Sequence, residues 1–281
     1  MIRGAALLGT LAGVLVAGCA APPSQGAGGI VSLNPCADAM LVELVPPDRI
    51  AAISHYSQDP GATSIDLAVA RRFRATAGTA EEVIALRPGL VIASSFTQAA
   101  TREAFARAGL RTLYLDSPVT IAASRAQVAR LARAVGAEDA GRAMIARIDA
   151  AIAAAAPPPG PRVPALIWIG GNLASGGSNL VNQMLALAGF EDRAARYGLA
   201  YTGYLPVETV AADPPRVMFV PDDGSGRDAG SRAAAMRARV LAHSPARVTE
   251  ARFPRDLVNC GGPVIARAMT RLAEVRRSIA P

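Results

Sequence analysis

Side chains able to do chemistry are few in this sequence. There are two histidines, His55 and His243, and three cysteines, Cys19, Cys36 and Cys260. A bare zinc or manganese ion takes several His and carboxylate ligands at once, and two histidines cannot build a three-histidine site. No Cys-x-x-Cys spacing occurs, so thiol redox cycling has no support. A Ser-His-Asp set would have to use His55 or His243, and no G-x-S-x-G elbow is present. Gly170-Gly171 and Ser175-Gly176-Gly177-Ser178 have the glycine content of a phosphate loop. They lack its GxxxxGK[ST] spacing, and the chain contains no lysine. Asp222-Asp223-Gly224 reads as a turn rather than a metal site. The residues therefore point to binding, not catalysis.

The N-terminus reads as an address. Arg3, an apolar run over Ala5–Ala17 and small residues before Cys19 are signal-peptide features. The run is shorter than the roughly 20 residues that span a bilayer. The expectation is a lipoprotein signal over 1–19, with Cys19 lipidated and a flexible Pro- and Gly-rich tether over 20–29. Plain secretory cleavage near Ala21 and a retained anchor are the alternatives. All three place the mature chain outside the cytoplasm, in the periplasm. Cys36 and Cys260 then remain as an even pair in an oxidising compartment, which predicts a disulfide closing a loop of more than 200 residues.

The elements behind these residues alternate. Ile30–Leu33, Ile50–Ser54, Leu90–Ala93 and Thr112–Leu115 read as buried strands, with helical spacing over Asp38–Leu44, Glu81–Leu86 and Gln98–Ala108 between them. The pattern resumes after Pro161 with strands Ala165–Ile169 and Val217–Val220 and helices Val181–Ala188 and Ile265–Val275. Such alternation predicts an α/β fold with mostly parallel sheets and helices on their faces. In the middle, Ser124–Val135 and then Glu138–Ala156 are helical, the second stopping at Pro157-Pro158-Pro159-Gly160-Pro161. The reading is an N-terminal lobe over 30–136, an interlobe helix with its proline stop over 137–160, and a C-terminal lobe over 161–281.

The lobes echo one another. Glu81-x-Val83-x-Ala85-x-x-Pro88 precedes strand Leu90–Ala93, and Glu208-x-Val210-x-Ala212-x-x-Pro215 precedes strand Val217–Val220. Each glutamate falls in the first turn of a helix, where the dipole favours an anion. The echo suggests pseudo-symmetric lobes, each presenting one carboxylate.

The stretches Val31–Asp38, Asp48–Ser54, His55–Pro60 and especially Glu81–Ser94 resemble the class III, helical-backbone solute-binding proteins of ABC importers, the family that takes cobalamin and ferric siderophores. The similarity covers most of 30–275 and is weaker in the C-terminal lobe. It implies two α/β lobes joined by one long helix, a ligand in the cleft between them, and a monomer. It also implies docking of Glu81 and Glu208 onto arginines of an ABC permease dimer; the alternatives are an envelope sensor or other non-transport binding domain of the same fold and, behind it, a secreted hydrolase.

Open α/β sheets bind ligands beyond the carboxyl ends of their strands. That rule selects Asn34 and Pro35, His55 and Tyr56, Ser95 and Phe96 in the N-lobe. In the C-lobe it selects Asn172, Tyr204, Gly261 and Gly262. The family resemblance marks Tyr56 as a cleft residue. A chelated metal needs few protein ligands, so the expected cargo is cobalamin, a ferric siderophore or haem, with no resident cofactor and no protein-built metal site. Ferric catecholates call for an Arg cluster that the selected loops lack, which favours cobalamin. His55 is a candidate axial ligand, with a solvated loop histidine as its alternative.

The net charge of +7 comes from arginines spread along the sequence with no basic run. Nucleic-acid binding is not expected. The membrane is expected to be reached through the lipid anchor only.

Overall fold

The computed structural model describes residues 28–157, 159–221 and 232–279. The signal segment 1–19, Cys19, most of the tether and Asp222-Asp223-Gly224 lie outside the described residues.

In the N-lobe the chain runs β1 (Ile30–Ser32), α1 (Pro35–Leu44), β2 (Ile50–Ser54), α2 (Leu67–Ala70), β3 (Ala75–Thr76), α3 (Ala80–Ala85), β4 (Leu90–Ser94), α4 (Ala99–Arg107) and β5 (Thr112–Leu115). The strands form one parallel sheet in the order β3-β2-β1-β4-β5. All three residues of β1 and the first four of β4 are buried, as expected of strands covered on both faces. The tether ends two residues early. The Gly89 amide donates to the carbonyls of Gly28 and Gly29, so these residues already belong to the lobe.

Two helices follow, α5 (Ile121–Val135) and α6 (Glu138–Ala154). The Thr120 hydroxyl caps α5 by accepting from the Ala123 amide, and Gly136 ends it in the left-handed conformation at φ 64°. The 17 residues of α6 make it about 26 Å long.

The C-lobe continues with β6 (Val163–Gly170), β7 (Leu173–Ala174), α7 (Leu180–Leu187), β8 (Phe190–Asp192), β9 (Gly203–Tyr204), α8 (Val207–Ala212), β10 (Val217–Val220), α9 (Arg232–Leu241), β11 (Thr249–Arg252) and α10 (Pro263–Ser278). Its sheet order is β11-β10-β6-β7-β9, with β8 also paired to β6. Only β7 runs antiparallel to its neighbours β6 and β9. The fold is thus α/β with two mostly parallel sheets. Strands β3, β7, β8, β9 and β11 and helices α2 and α9 are additional to the elements read from the sequence.

The lobes share a core. α6 packs on both α5 and α10, and one continuous cluster of buried residues joins Met40 and Leu41 of α1, Val128 of α5, Met144 and Ile148 of α6 and Met269 of α10. Helix α6 is therefore the centre of a packed interface rather than a bare rod between separated globules.

Candidate functional site

The carboxyl ends of the two sheets meet at a floor built from both lobes. Cys36 in the first turn of α1 is bonded to Cys260, just ahead of α10, at an S–S distance of 2.08 Å. Next to it the Gly262 amide donates to Ser124 Oγ at 2.8 Å, and nearby the Ile121 amide donates to Gln183 Oε1 at 2.6 Å. Arg267 of α10 reaches across to the Ser64 carbonyl at 2.6 Å.

Asn34 and Pro35 start α1. The Asn34 carboxamide oxygen accepts from the Cys36 and Ala37 amides, so its side chain caps the helix. Gly261 and Gly262 are buried in the floor. A Cβ on Gly261 would lie 2.5 Å from Ser124 Oγ, and one on Gly262, at φ 61°, would lie 2.8 Å from Met40 Cγ. Glycine is required there to let α10 approach α1 and α5.

Exposed aromatic rings stand near strand ends in both lobes. Tyr56 is 52% accessible and Phe96 78% on the N-lobe, and Tyr204 is 66% accessible on the C-lobe, with Leu173 and Tyr201 exposed nearby. Apolar rings left in water at the ends of strands are surfaces for a flat or bulky ligand. Ser95 follows β4 and is half-buried. Asn172 Nδ2 donates to Tyr204 Oη at 3.2 Å, which holds that ring at the β7–β9 edge.

His55 and Tyr56 sit on a short turn whose geometry comes from a residue that sequence reasoning passed over. Asp38, in the first turn of α1, is fully buried under it. Its Oδ2 accepts from Ser57 Oγ at 2.7 Å and from the Ser54 amide at 3.0 Å. Burial pushes the Asp38 carboxyl up to about 7, against hydrogen bonds from Ser32, Ser57 and the Ser54 amide that pull it down. Its Oδ1 has no partner. The one available sequence signal was an acid immediately following the helix start Asn34-Pro35-Cys36-Ala37.

The same turn fixes the His55 tautomer. His55 Nδ1 lies 3.2 Å from the Thr76 carbonyl, which can only accept, so Nδ1 carries the proton. In the neutral ring Nε2 then keeps its lone pair free. His55 is exposed and its ring lies 4.1 Å from that of Tyr56. His243 lies far along the chain, with Nδ1 2.9 Å from the Arg239 carbonyl at the end of α9. Among the described residues no group of three or more His, Cys, Asp or Glu gathers to hold a metal.

Glu81 and Glu208 occupy the second position of α3 and α8, both six residues long, and both are exposed. α3 leaves the carboxyl end of β3. α8 leaves the end of β9, which runs in the same sense as β6 because two antiparallel steps separate them. Both carboxylates therefore stand at the carboxyl edge of their own lobe's sheet, in no ion pair with any described residue.

Trp168 of β6 is buried, and its Nε1 donates to the Gly171 carbonyl at 2.9 Å, directly behind the Gly170–Asn172 loop. No helix among the described residues is long and apolar enough to cross a membrane.

Solved structures with the same fold include the periplasmic heme-binding protein RhuT from Roseiflexus sp. RS-1 in apo form. It has a TM-score of 0.71 and 24% identity, over 89% of this chain and 98% of that one. The periplasmic heme-binding protein HutB of Vibrio cholerae gives 0.70 and 16% over 88% and 97%. The periplasmic vitamin B12 binding protein BtuF of Vibrio cholerae gives 0.65 and 16% over 90% and 98%. No curated protein matches the sequence. The family model described as periplasmic binding protein matches residues 30–250. With that match over most of its length, and with two α/β lobes built around one helix, the chain belongs to the periplasmic binding protein family.

Proposed function

We propose that this protein captures a chelated metal between its lobes, outside the cytoplasm, and hands it to an ABC permease through Glu81 and Glu208. The observation that carries the reading is the set of exposed aromatic rings at strand ends in both lobes, Tyr56 and Phe96 on one and Tyr204 on the other, where among the described residues no cluster of metal ligands gathers. Such a site suits a metal that arrives inside its own ligand.

Within that class the geometry favours a planar macrocycle. Flat rings stack on tyrosine faces, and His55 Nε2 is left free to occupy an axial position of a haem iron. That widens the sequence-based preference for cobalamin to haem and cobalamin together, with ferric siderophores third. The solved relatives named for heme and vitamin B12 support the class without choosing within it.

Titration of the purified protein with haem, cyanocobalamin and ferric siderophores is the test. Trp168 behind the Gly171 loop serves as the fluorescent reporter. Saturable one-site binding of at least one of these ligands is expected, and His55→Ala should alter the absorption spectrum of a haem complex. Binding of none of them would remove the proposal.

A further inference from the structure

The sheet topology gathers arginines that the sequence scatters. Reading across the N-lobe sheet at its amino edge, Arg74 precedes β3, Arg49 precedes β2, Arg87 lies just ahead of β4 and Arg111 precedes β5. The order is Arg74, Arg49, then the chain arriving at β1 through Gly28 and Gly29, then Arg87, then Arg111. Four inter-strand steps make the row about 19 Å long. All four side chains are exposed and in no ion pair with any described residue. Arg111 also donates to the Ala134 carbonyl. Arg71 and Arg72 add charge beside Arg74, and Asp48 is the acid that sits within the row. Arg87 adopts φ 46°, the positive-φ non-glycine residue among the described residues. A cationic side chain is therefore held where glycine or asparagine would fit more easily.

The chain leaves the lobe through the middle of this row. Gly28 packs against the Arg87 carbonyl and Gly29 against that of Arg49. From Gly28 to Cys19 is nine residues, a reach of at most about 30 Å. The C-lobe also places Arg162, Arg216 and Arg247 at its amino edge. It shares that edge with Glu191, Asp192 and Asp213, and no N-terminal segment emerges there.

We infer that the amino edge of the N-lobe is a docking surface for an anionic phospholipid bilayer. A row of exposed arginines flanking the point where the tether leaves would be held against such a surface by its negative potential, within a Debye length. Glu81 stands at the opposite edge of the same sheet, so a molecule resting on the row presents its cleft away from the bilayer and must lift off to engage a permease. The inference does not depend on what the cleft holds.

The test uses the mature chain from residue 19 carrying Cys19→Ser, so that no acyl chain contributes. Co-sedimentation is measured with vesicles of phosphatidylglycerol and phosphatidylcholine and with phosphatidylcholine alone. Binding to the anionic vesicles only, weakening as salt rises, is expected. Arg49→Gln/Arg74→Gln/Arg87→Gln/Arg111→Gln should weaken it by about tenfold or more. The C-lobe control Arg162→Gln/Arg216→Gln/Arg247→Gln/Arg277→Gln, the last an exposed residue in the final turn of α10, removes the same charge and should cost about threefold or less. Arg49→Gln/Arg74→Gln, which touches no hydrogen bond, should fall in between and guards against a folding defect. Equal loss in the two fourfold variants, equal binding to neutral vesicles, or capture by heparin without capture by vesicles would each overturn the inference. Ligand titration of the row variant should match the wild type, which separates this result from any failure of the cleft reading.

Discussion

Cys36 and Cys260 are bonded to each other across a sequence separation of 224 residues, joining the first turn of α1 to the start of α10. The bond lies in the floor between the lobes. Beside it, Gly262 packs on Met40 and donates its amide to Ser124, so covalent and packed contacts reinforce one another.

Removing this bond should be costly to stability and mild for function. A cross-link closing so long a loop restricts the unfolded chain strongly, and its loss typically costs about 2–5 kcal/mol. Cys36→Ser/Cys260→Ser should therefore shift the denaturation midpoint down while leaving ligand affinity within about threefold, because the Ser124–Gly262 and Arg267–Ser64 contacts remain. Denaturant titration beside ligand titration reads both. Alkylation of the native protein without reductant should leave the mass of residues 28–281 unchanged, and a mass gain there would show free thiols.

The shared core makes a second expectation. A cluster of buried side chains continuous from α1 through α6 to α10 resists bending, since opening the lobes would tear apolar contacts. Scattering profiles of free and ligand-loaded protein should differ little, with side-chain and loop adjustments rather than a large closure. A change in radius of gyration of several ångströms on loading would contradict this.

The legible parts of this fold were those with local signals. Proline stops, the αL glycine at 136, buried apolar runs and paired Glu-x-Val-x-Ala-x-x-Pro stretches fixed the central strands, α5, α6 and the placement of Glu81 and Glu208. Strands β3, β7 and β9 are two residues long and exist because a neighbour offers an edge, so no period could announce them. Asp38 and Ser124 matter through partners far along the chain, which spacing does not reveal. Gly261 and Gly262 looked like backbone offered to a ligand, yet both are packed under α5 and beside Met40. Arg49, Arg74, Arg87 and Arg111 form a row only after the strands are ordered, since successive arginines along the edge lie up to 38 residues apart in sequence.

The glutamate pair has its own test. Glu81 and Glu208 are exposed at matching positions and lie outside the hydrogen bonds that hold either short helix, so their removal should leave the fold intact. Glu81→Ala/Glu208→Ala should bind ligand as the wild type does while uptake through the permease falls by about tenfold or more, each contact being a charge-assisted pair. Normal uptake by the double variant would refute docking through these residues. Loss of ligand affinity would instead place them in the cleft.

Asp38 predicts a pH dependence of stability with a definite sign. Burial raises its folded-state pKa from 3.8 to about 7. Between those two values the folded protein holds a proton that the unfolded chain has released. Stability therefore falls as pH rises through about 4 to 7 and levels off once the buried carboxyl is charged, a contribution of roughly 2–4 kcal/mol at most. Asp38→Asn keeps an acceptor for Ser57 and the Ser54 amide but cannot ionise. Its thermal midpoint should exceed that of the wild type at pH 8, and the gap should narrow to less than half by pH 5 and close only near pH 4. The two proteins differ at this residue alone, so the difference between the two curves isolates it. Because Asp38 holds the turn that carries His55 and Tyr56, the wild type should also bind ligand more weakly at pH 8 than the variant if charging loosens that turn. Parallel melting curves from pH 5 to 8 would show that the buried carboxyl does not titrate there.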